Sequence, residues 1–193
     1  MRWRPDYPNH QQENAVPDKL ETAGEDTLVD AIALLKSDHR KVEDLFVQYE
    51  ASKDGGQKQD LAAWICMELK IHLMVEEEIF YPALEGKLDE GMIGEAYVEH
   101  DGAKVLVNDI EAGKPKDDEY YDAKVRVLSE EIKHHVHEEE MPDTGMFAQA
   151  RASDVDLVAL GAELKARKEE LVARGRRDGL PPARPAVVNL VVV

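Results

Sequence analysis

Apolar residues recur alternately three and four positions apart along five stretches of the chain, and this spacing predicts five amphipathic α-helices. Glycine, proline or clusters of polar residues separate the stretches. The predicted limits are Thr27 as N-cap to about Tyr49, about Asp60 to Tyr81 with Pro82 as the stop, about Met92 to Glu111, about Glu119 to Glu140, and Asp154 as N-cap to about Arg174. No stretch alternates as a β-strand would.

The first four predicted helices have similar lengths and short connections, which is the pattern of an antiparallel up-down bundle. We therefore predict an all-α fold with a four-helix bundle over 27–150 and an additional amphipathic helix over 154–174. The remaining segments, 1–26 and 175–193, are predicted to be irregular tails. The first lacks the apolar stretch of a signal peptide, and the apolar end of the second is too short to span a bilayer.

The chain carries 41 acidic and 24 basic side chains, a formal net charge of −17. This charge disfavours nucleic acids and anionic membranes as partners, because both need a basic face, and it favours cations. Because Cys66 is the single cysteine, the chain can form neither an internal disulfide framework nor a cysteine-rich metal cluster. This cysteine content suits a reducing, cytoplasmic setting. Since Cys66 lies in an apolar helical stretch, we interpret it as a core residue rather than a nucleophile.

Each of the first four predicted helices carries one histidine on the stripe expected to face the bundle axis, near the middle of the helix. These histidines are His39, His72, His100 and His135. The inward stripe of the second predicted helix consists of Leu61, Ile65, Leu69, His72, Glu76 and Ile79. A single histidine in such a position is more often a hydrogen-bonded core residue than a metal ligand. Four at similar depth, one on each helix, indicate a shared site.

The second and fourth predicted helices also share an ungapped repeat, in which ELKIHLMVEEE (68–78) aligns with EIKHHVHEEEM (131–141). The common unit is H-x-x-x-E, and residues four apart lie on one face of a helix. His72 with Glu76 and His135 with Glu139 can therefore each contribute to a cluster of ions. Buried carboxylates are costly to desolvate unless cations pair with them. Mixed nitrogen and oxygen ligands without thiolates fit iron, manganese or zinc.

The fourth predicted helix contains a second H-x-x-x-E pair, His134 with Glu138. The repeat and the apolar stripe both favour the first pair, so His134 and the nearby His137 are expected on the flanks or the surface. His10, in the first tail, is expected in solvent. A ferritin-like site is a weaker alternative, because it needs Glu-x-x-His on two helices and the second helix has none beside its histidine.

The motifs DH, H-x-x-x-E, EH and HH-x-x-EEE, in this order, resemble the hemerythrin-like HHE cation-binding domain over roughly Leu28 to Ala150. The stretch LVALGAELKARKEELVAR resembles the extra C-terminal helix of some bacterial members. The resemblance implies a four-helix bundle around a non-haem di-iron centre, with two iron ions and an oxo or hydroxo bridge. The ligands that it implies are His39, His72, Glu76, His100, His135 and Glu139, with Glu76 and Glu139 as bridges.

The chain differs from the oxygen-carrying hemerythrins at two positions of this pattern. Lys104 stands where they have a second histidine on the third helix, and Glu140 stands where they have an aspartate on the fourth. One imidazole fewer leaves a coordination position open, as a reactive metal site requires. The resemblance therefore implies binding of, or reaction with, dioxygen, peroxide or nitric oxide, in stress defence or sensing. The alternatives are a metal-binding module for iron delivery, storage or sensing without turnover, and a metal-free bundle with a buried polar network.

Overall fold

The computed structural model describes residues 30–189, and every regular element in this range is helical. The elements are α1 (Ala31–Ala51), α2 (Gly55–Val75), a π-helical segment (Glu76–Phe80), α3 (Tyr81–Leu84), α4 (Met92–Ala112), α5 (Tyr121–Glu140), α6 (Met146–Ala152) and α7 (Leu157–Asp178). The predicted all-α class is confirmed. Within 30–189 no helix is both long enough and apolar enough to cross a bilayer.

The four long helices α1, α2, α4 and α5 pack in a ring, in which α1 and α4 each contact both α2 and α5. One apolar cluster joins Phe46 near the end of α1 to Leu61 near the start of α2, Val107 near the end of α4 and Val125 near the start of α5. The opposite halves of α1, α2 and α4 meet in a second cluster. Neighbouring helices therefore run in opposite directions, as an up-down four-helix bundle requires.

The helical period accounts for the buried faces of α1 and α5. Every residue of their predicted inward stripes is buried: Ile32, Leu35, His39, Val42, Phe46 and Tyr49 on α1, and Tyr121, Val125, Leu128, Ile132, His135 and Glu139 on α5. These side chains recur every three or four residues and so form one continuous face. Both stripes pass from apolar residues at one end of the bundle to histidine near the middle.

The N-caps of α1 and α7 differ from the predicted ones. Asp30 caps α1, because its side chain accepts a hydrogen bond of 2.8 Å from the Ala33 N–H; Thr27 lies outside the described residues. Asp156 caps α7 by accepting from two backbone N–H groups of the first turn. The predicted cap Asp154 instead pairs with Lys87. Two aspartates two residues apart have the same side chain and can cap a helix equally well. The backbone conformation alone therefore determines which of them is the N-cap.

The second predicted helix does not stop at Pro82, as was expected, but continues into α3. In the π-helical segment the Tyr81 N–H donates to the carbonyl of Glu76, five residues back instead of four. This wide turn lies directly before Pro82. In a regular α-helix a proline ring collides with the carbonyl group four residues back, and the wide turn changes that arrangement. It also shifts the buried face: Phe80 and Tyr81 are fully buried, whereas Ile79, predicted to face inward, is only half-buried.

After α5 the chain turns sharply into α6, a seven-residue helix that the sequence analysis did not predict. Gly145 lies against the last turn of α5, where a Cβ atom would be 2.6 Å from the Met141 nitrogen and 2.7 Å from the carbonyl oxygens of Glu138 and Glu139. Only glycine permits this approach of backbone to backbone. The turn places Phe147 of α6 in the core beside α1.

Helix α7 packs along the outside of the bundle against α1 and α2, with Leu164 and Leu171 fully buried. Residues 180–189 then form an irregular segment, which we call the strap, that crosses α4. The Asn108 side chain of α4 donates to the Ala183 carbonyl at 2.7 Å and accepts from the Ala183 N–H at 2.8 Å. The strap is therefore hydrogen-bonded to the same helix that carries one of the four central histidines.

Candidate metal centre

The structure brings all six predicted ligand side chains together in the bundle, and none is more than 4% exposed. Their donor atoms form two groups, each within 4.8 Å: His39, His72, Glu76 and Glu139, which we call the first half-site, and Glu76, His100 and His135, the second half-site. Glu76 belongs to both groups. Glu139 also reaches the second half-site, because its Oε1 lies 3.6 Å from the Nε2 of His135. Two carboxylates thus lie between two pairs of imidazoles.

The imidazole Nε2 atoms meet in pairs at the centre of the bundle. The Nε2 atoms of His39 and His72 are 3.1 Å apart, and those of His100 and His135 are 3.2 Å apart. The rings of both pairs meet at steep angles, 73° and 63°. Helices α1 and α2 thus provide one imidazole pair and helices α4 and α5 repeat it. Lone pairs that converge in this way suit a shared cation.

An outer layer of four carboxylates faces the Nδ1 atoms of the same imidazoles. The Nδ1–oxygen pairs are His39 with Glu140 at 2.7 Å, His100 with Glu77 at 2.9 Å, His135 with Glu99 at 2.8 Å and His72 with Asp38 at 3.9 Å. An Nδ1–H that donates to a carboxylate leaves the Nε2 lone pair free for a metal. Only the fourth pair is too long for a hydrogen bond.

This outer layer was not predicted from the sequence, although a signal was present. Each outer carboxylate is the immediate sequence neighbour of a predicted ligand, in the motifs DH, EH, EE and EE. Because adjacent residues on a helix point about 100° apart, the neighbour of one ligand is directed toward the next helix. Glu140 belongs to this layer, so it does not join the inner donor groups.

Two buried carboxylate oxygens at the centre, Oε1 of Glu76 and Oε2 of Glu139, have no hydrogen-bond partner. A buried acceptor without a partner costs roughly 1–3 kcal/mol, and more when it is charged. A cation between the two glutamates would remove this cost. The donor set, four imidazole nitrogens with carboxylate oxygens and no thiolate, fits iron, manganese or zinc.

Burial and mutual repulsion set the protonation of these groups. Burial, reinforced by the charge of Glu139, raises the pKa of Glu76 well above its usual value. Burial acts in the same sense on Glu139, but the charge of His135 and the nearby ring of His39, whose Nε2 lies 3.4 Å from Oε2 of Glu139, outweigh it and lower the pKa of Glu139. Burial and the neighbouring imidazoles lower the pKa of His100. Of the two carboxyl groups, Glu76 is therefore the one whose neutral form burial and repulsion favour.

His39 differs from the other central histidines. Burial lowers its pKa, but the adjacent carboxylates of Glu139 and Glu140 outweigh burial and raise the pKa to about 8. A metal ligand must present its lone pair, so cation binding at the first half-site would displace a proton from this ring.

Tyr81 is a further residue of the centre, which the sequence analysis did not include. Its hydroxyl lies 2.9 Å from Nε2 of His100, 3.2 Å from Oε1 of Glu139 and 3.5 Å from Oε2 of Glu76. In a regular helix, residues five apart differ by about 140° in direction, so Tyr81 and Glu76 would face different sides. The π-helical segment brings them to one face, and neither residue type nor spacing indicates such a turn in advance.

Lys104, which stands where the oxygen-carrying hemerythrins have a histidine, belongs to the outer layer. Its ammonium group lies 2.7 Å from Glu77 and 2.9 Å from Asp101. Burial raises the pKa of Asp101, but three backbone N–H donors of the strap, at 186–188, and the lysine outweigh this and lower the pKa to about 2. A continuous set of polar contacts thus connects the strap through Asp101, Lys104 and Glu77 to His100.

A cavity of about 300 Å³ reaches the second half-site from the surface, and His135, Glu139 and Met146 form part of its lining. The ring of Phe147 stacks on His39 of the first half-site at 5.7 Å with an angle of 10° between the planes. Neither imidazole of the first half-site lines the cavity, although Glu139 does. The imidazoles of the two half-sites therefore differ in access.

The other residues that the sequence analysis weighed lie away from the centre. His134 and His137 are exposed, as expected, and Cys66 is fully buried, which raises the pKa of its thiol. His10 lies outside the described residues. His134 does have acidic neighbours, since its Nε2 lies 3.4 Å from Glu99 and 3.3 Å from Glu138.

Comparisons with known proteins agree with this architecture. Residues 30–144 match the hemerythrin HHE cation-binding domain family. A protein from Nostoc sp. (strain PCC 7120) named DNA nickase is 32% identical over 143 residues, which are 73% of this chain and 40% of that protein. This chain thus spans well under half of that relative's length.

The crystal structure of a hemerythrin HHE cation-binding domain-containing protein from Mycobacterium kansasii superimposes with a TM-score of 0.64. The match covers 79% of this chain and 95% of that one, at 23% identity. At this identity the likeness shows a shared fold alone.

Proposed function

The chain belongs to the hemerythrin HHE cation-binding family, whose match covers residues 30–144, and from this premise we propose that it holds two iron ions in a non-haem di-iron centre. The proposed ligands are His39, His72, Glu76, His100, His135 and Glu139, with Glu76 and Glu139 as bridges. The observation that carries the proposal is the pair of unpaired, buried glutamate oxygens between two pairs of converging imidazole nitrogens. The outer carboxylates support it by favouring the tautomer that binds metals.

We propose further that this centre binds or reacts with dioxygen, peroxide or nitric oxide, in stress defence or sensing. Iron would supply ligand binding and electron transfer. The residues of the chain would supply orientation, exclusion of water and protons. The Tyr81 hydroxyl, in reach of His100 and Glu139, is placed to hold or give a proton at the second half-site. Lys104 points away toward Glu77, which favours a reactive centre over a pure oxygen carrier.

A second candidate, from another class, is a metal-binding module for iron delivery, storage or sensing without turnover. The acidic lining of the cavity beside the second half-site favours it, because it suits exchange of cations with the solvent. Both candidates require the same two ions and differ in their response to small oxidants.

The deciding experiment is metal analysis of protein produced in iron-replete cells, combined with an optical spectrum. We expect two irons per chain and a near-ultraviolet band that changes on addition of peroxide or nitric oxide. Two irons without such a change would support the second candidate. Absence of metal, together with unchanged stability of the His72→Ala variant, would support the third possibility, a metal-free bundle with a buried polar network. His137→Ala is the matched control, because it removes an exposed histidine outside the centre.

The name of the Nostoc relative raises DNA nicking as an activity to be tested. We propose that this chain alone does not nick DNA, because its net charge of −17 opposes binding to phosphates. The assay is relaxation of supercoiled plasmid with iron-loaded protein, with catalase present to remove diffusible peroxide. Nicking that persists with catalase and disappears in Glu76→Ala would contradict this part of the proposal.

A further inference from the structure

Half of the residues that line the cavity beside the second half-site are acidic. Six acidic residues line it: Asp89, Glu90, Glu95, Glu99, Glu138 and Glu139. The other lining residues are apolar apart from one glycine and His135, and no lysine or arginine of the described chain is among them. Acidic side chains gathered in a concave wall produce a negative potential that concentrates cations locally. The same potential repels anions and leaves neutral small molecules unaffected.

At the rim of this cavity, its lining residues Glu99 and Glu138 form, together with the adjacent His134, a third group of donor atoms within 4.8 Å of one another. The side chain of His134 is 63% exposed, so a cation can reach it directly from solvent. Glu99 has a double position: its Oε1 faces His134 at 3.4 Å, and its Oε2 faces the Nδ1 of His135 at 2.8 Å. The rim group therefore lies one side chain away from the second half-site.

The inner end of the cavity provides an independent observation. Glu139 lines the cavity, is 2% exposed, and has a carboxylate oxygen, Oε2, with no hydrogen-bond partner. The cavity thus extends from an exposed group of potential ligands to an unsatisfied carboxylate of the centre. Glu138 and Glu139 are sequence neighbours in the last turn of α5. Glu138 lies at the outer end of the cavity and Glu139 at its inner end.

We propose that this cavity is the route by which divalent cations reach the centre, and that Glu99, His134 and Glu138 form an outer cation site at its rim. The inference rests on the proposed function, since it supplies the ions that the centre holds. The outer site has one imidazole and two carboxylates and is open to water, so it binds cations weakly and releases them readily. Such reversible capture suits a site of transit rather than of storage.

Loading of the metal-free protein with Co²⁺ tests the route, because Co²⁺ bound by nitrogen and oxygen absorbs visible light. The variants are Glu138→Gln and the double variant His134→Gln/Glu138→Gln. The control is Glu130→Gln, which removes an exposed carboxylate of α5 that does not line the cavity. We expect roughly tenfold slower loading in the double variant, within the range of electrostatic steering. At equilibrium all four proteins, wild type included, should hold two tightly bound Co²⁺ with the same spectrum.

Salt and a weak third ion provide further readouts. The loading rate of the wild type should fall more steeply with ionic strength than that of the double variant, and a weak third Co²⁺ should be present in the wild type and absent in the double variant. Loading of the double variant at the wild-type rate would overturn the route. Loss of a tightly bound ion in it would also overturn the proposal, since the residues would then belong to the centre.

Failure of the proposed function gives a different result. In that case the wild type would hold no tightly bound Co²⁺ at all, and Glu76→Ala would behave identically. The weakly bound Co²⁺ alone would then test the outer site. Loss of this ion in the double variant would support the outer site, and persistence of the ion in that variant would reject the site.

Discussion

The first and second half-sites are built from the same sequence unit but have different surroundings. In the first, the ring of Phe147 from α6 stacks on His39 and covers it with apolar surface. In the second, the Tyr81 hydroxyl lies against His100, and the acidic cavity extends to His135. The repeated motif thus places one imidazole and one proposed bridging glutamate on α5, and one of each on α2 and its π-helical continuation. Features that the repeat does not duplicate, the π-helical segment and α6, determine what else can reach the imidazoles.

Because their surroundings differ, we expect the two half-sites to have different roles. A half-site closed by a stacked aromatic ring retains its ligand geometry and excludes water. A half-site with a hydroxyl group and a cavity can exchange protons, cations and small ligands with its surroundings. We therefore expect chemistry at the second half-site and structural support from the first.

The largest effect is expected from Glu76→Ala, because Glu76 is the one carboxylate in both donor groups. Metal content should fall from two ions per chain to well below one, measured by elemental analysis, and Glu139→Ala should act in the same direction. Glu78→Ala is the matched control, since Glu78 is exposed and pairs with Arg167 on the surface. Retention of both ions in Glu76→Ala would refute the bridging role.

The next largest effect should separate the two halves. Glu140→Gln and Glu77→Gln each remove one outer carboxylate, the first from His39 and the second from His100. Loss of such a partner typically weakens metal binding by about 10- to 100-fold. A Co²⁺ titration should show a different ion weakened in each variant. If both variants weaken the same ion, the division into half-sites is wrong.

Tyr81→Phe should change reactivity without changing metal content. It removes one hydrogen-bonding group from the second half-site, which corresponds to roughly a tenfold effect at most. Stopped-flow mixing with peroxide or nitric oxide should show a slower spectral change at two bound ions. Tyr97→Phe removes a hydroxyl from the ring packed against Tyr81 at 5.4 Å and serves as the control. Equal rates of the spectral change in Tyr81→Phe and Tyr97→Phe would contradict a role of the Tyr81 hydroxyl in reactivity.

The smallest effect is expected from the strap. Asp101→Asn should lower the free energy of unfolding by about 1–2 kcal/mol in urea titrations at neutral pH, because the strap loses a charged acceptor. The pKa of Asp101, about 2 in the folded chain, lies below the unfolded value of roughly 3.9. Its stabilisation is therefore complete above about pH 4 and lost as pH falls toward 2, so the two unfolding curves should converge there.

The control for this variant is Asp44→Asn, an exposed aspartate of α1. Asp101→Asn should also weaken the ion of the second half-site by a few fold, because Lys104 and Glu77 connect Asp101 to His100. A difference in stability from wild type that persists unchanged at pH 2 would contradict the assigned contacts.

The sequence predicted the parts of the fold that follow a regular period. The inward stripes of α1 and α5 are correct at every position because a 3.6-residue repeat runs through them without interruption. The proximity of the six proposed ligands follows from the same period, since each lies on such a stripe. Their role in binding metal stays a prediction.

The errors lie where the backbone leaves that period or where similar residues compete. Ile79 and Pro82 were misplaced because a π-helical turn adds one residue to a helix without any characteristic residue type. Asp154 and Asp156 are chemically equivalent as caps, so sequence alone cannot choose between them. Helix α6 is too short to show a periodic pattern, and its position depends on the close approach of Gly145 to α5.

The wide turn at Glu76–Phe80 makes the number of residues in this helix as important as their identity. A regular α-helix over the full sequence would turn Tyr81 away from Glu76 by about 140°. Removal of one amino acid between them would place the two residues four apart, on one face of a regular helix, so the direction of Tyr81 would be kept. The same deletion would restore the regular register at Pro82, in which a proline ring collides with the carbonyl group four residues back. We therefore expect a one-residue deletion in this helix to act through Pro82 and not through the direction of Tyr81.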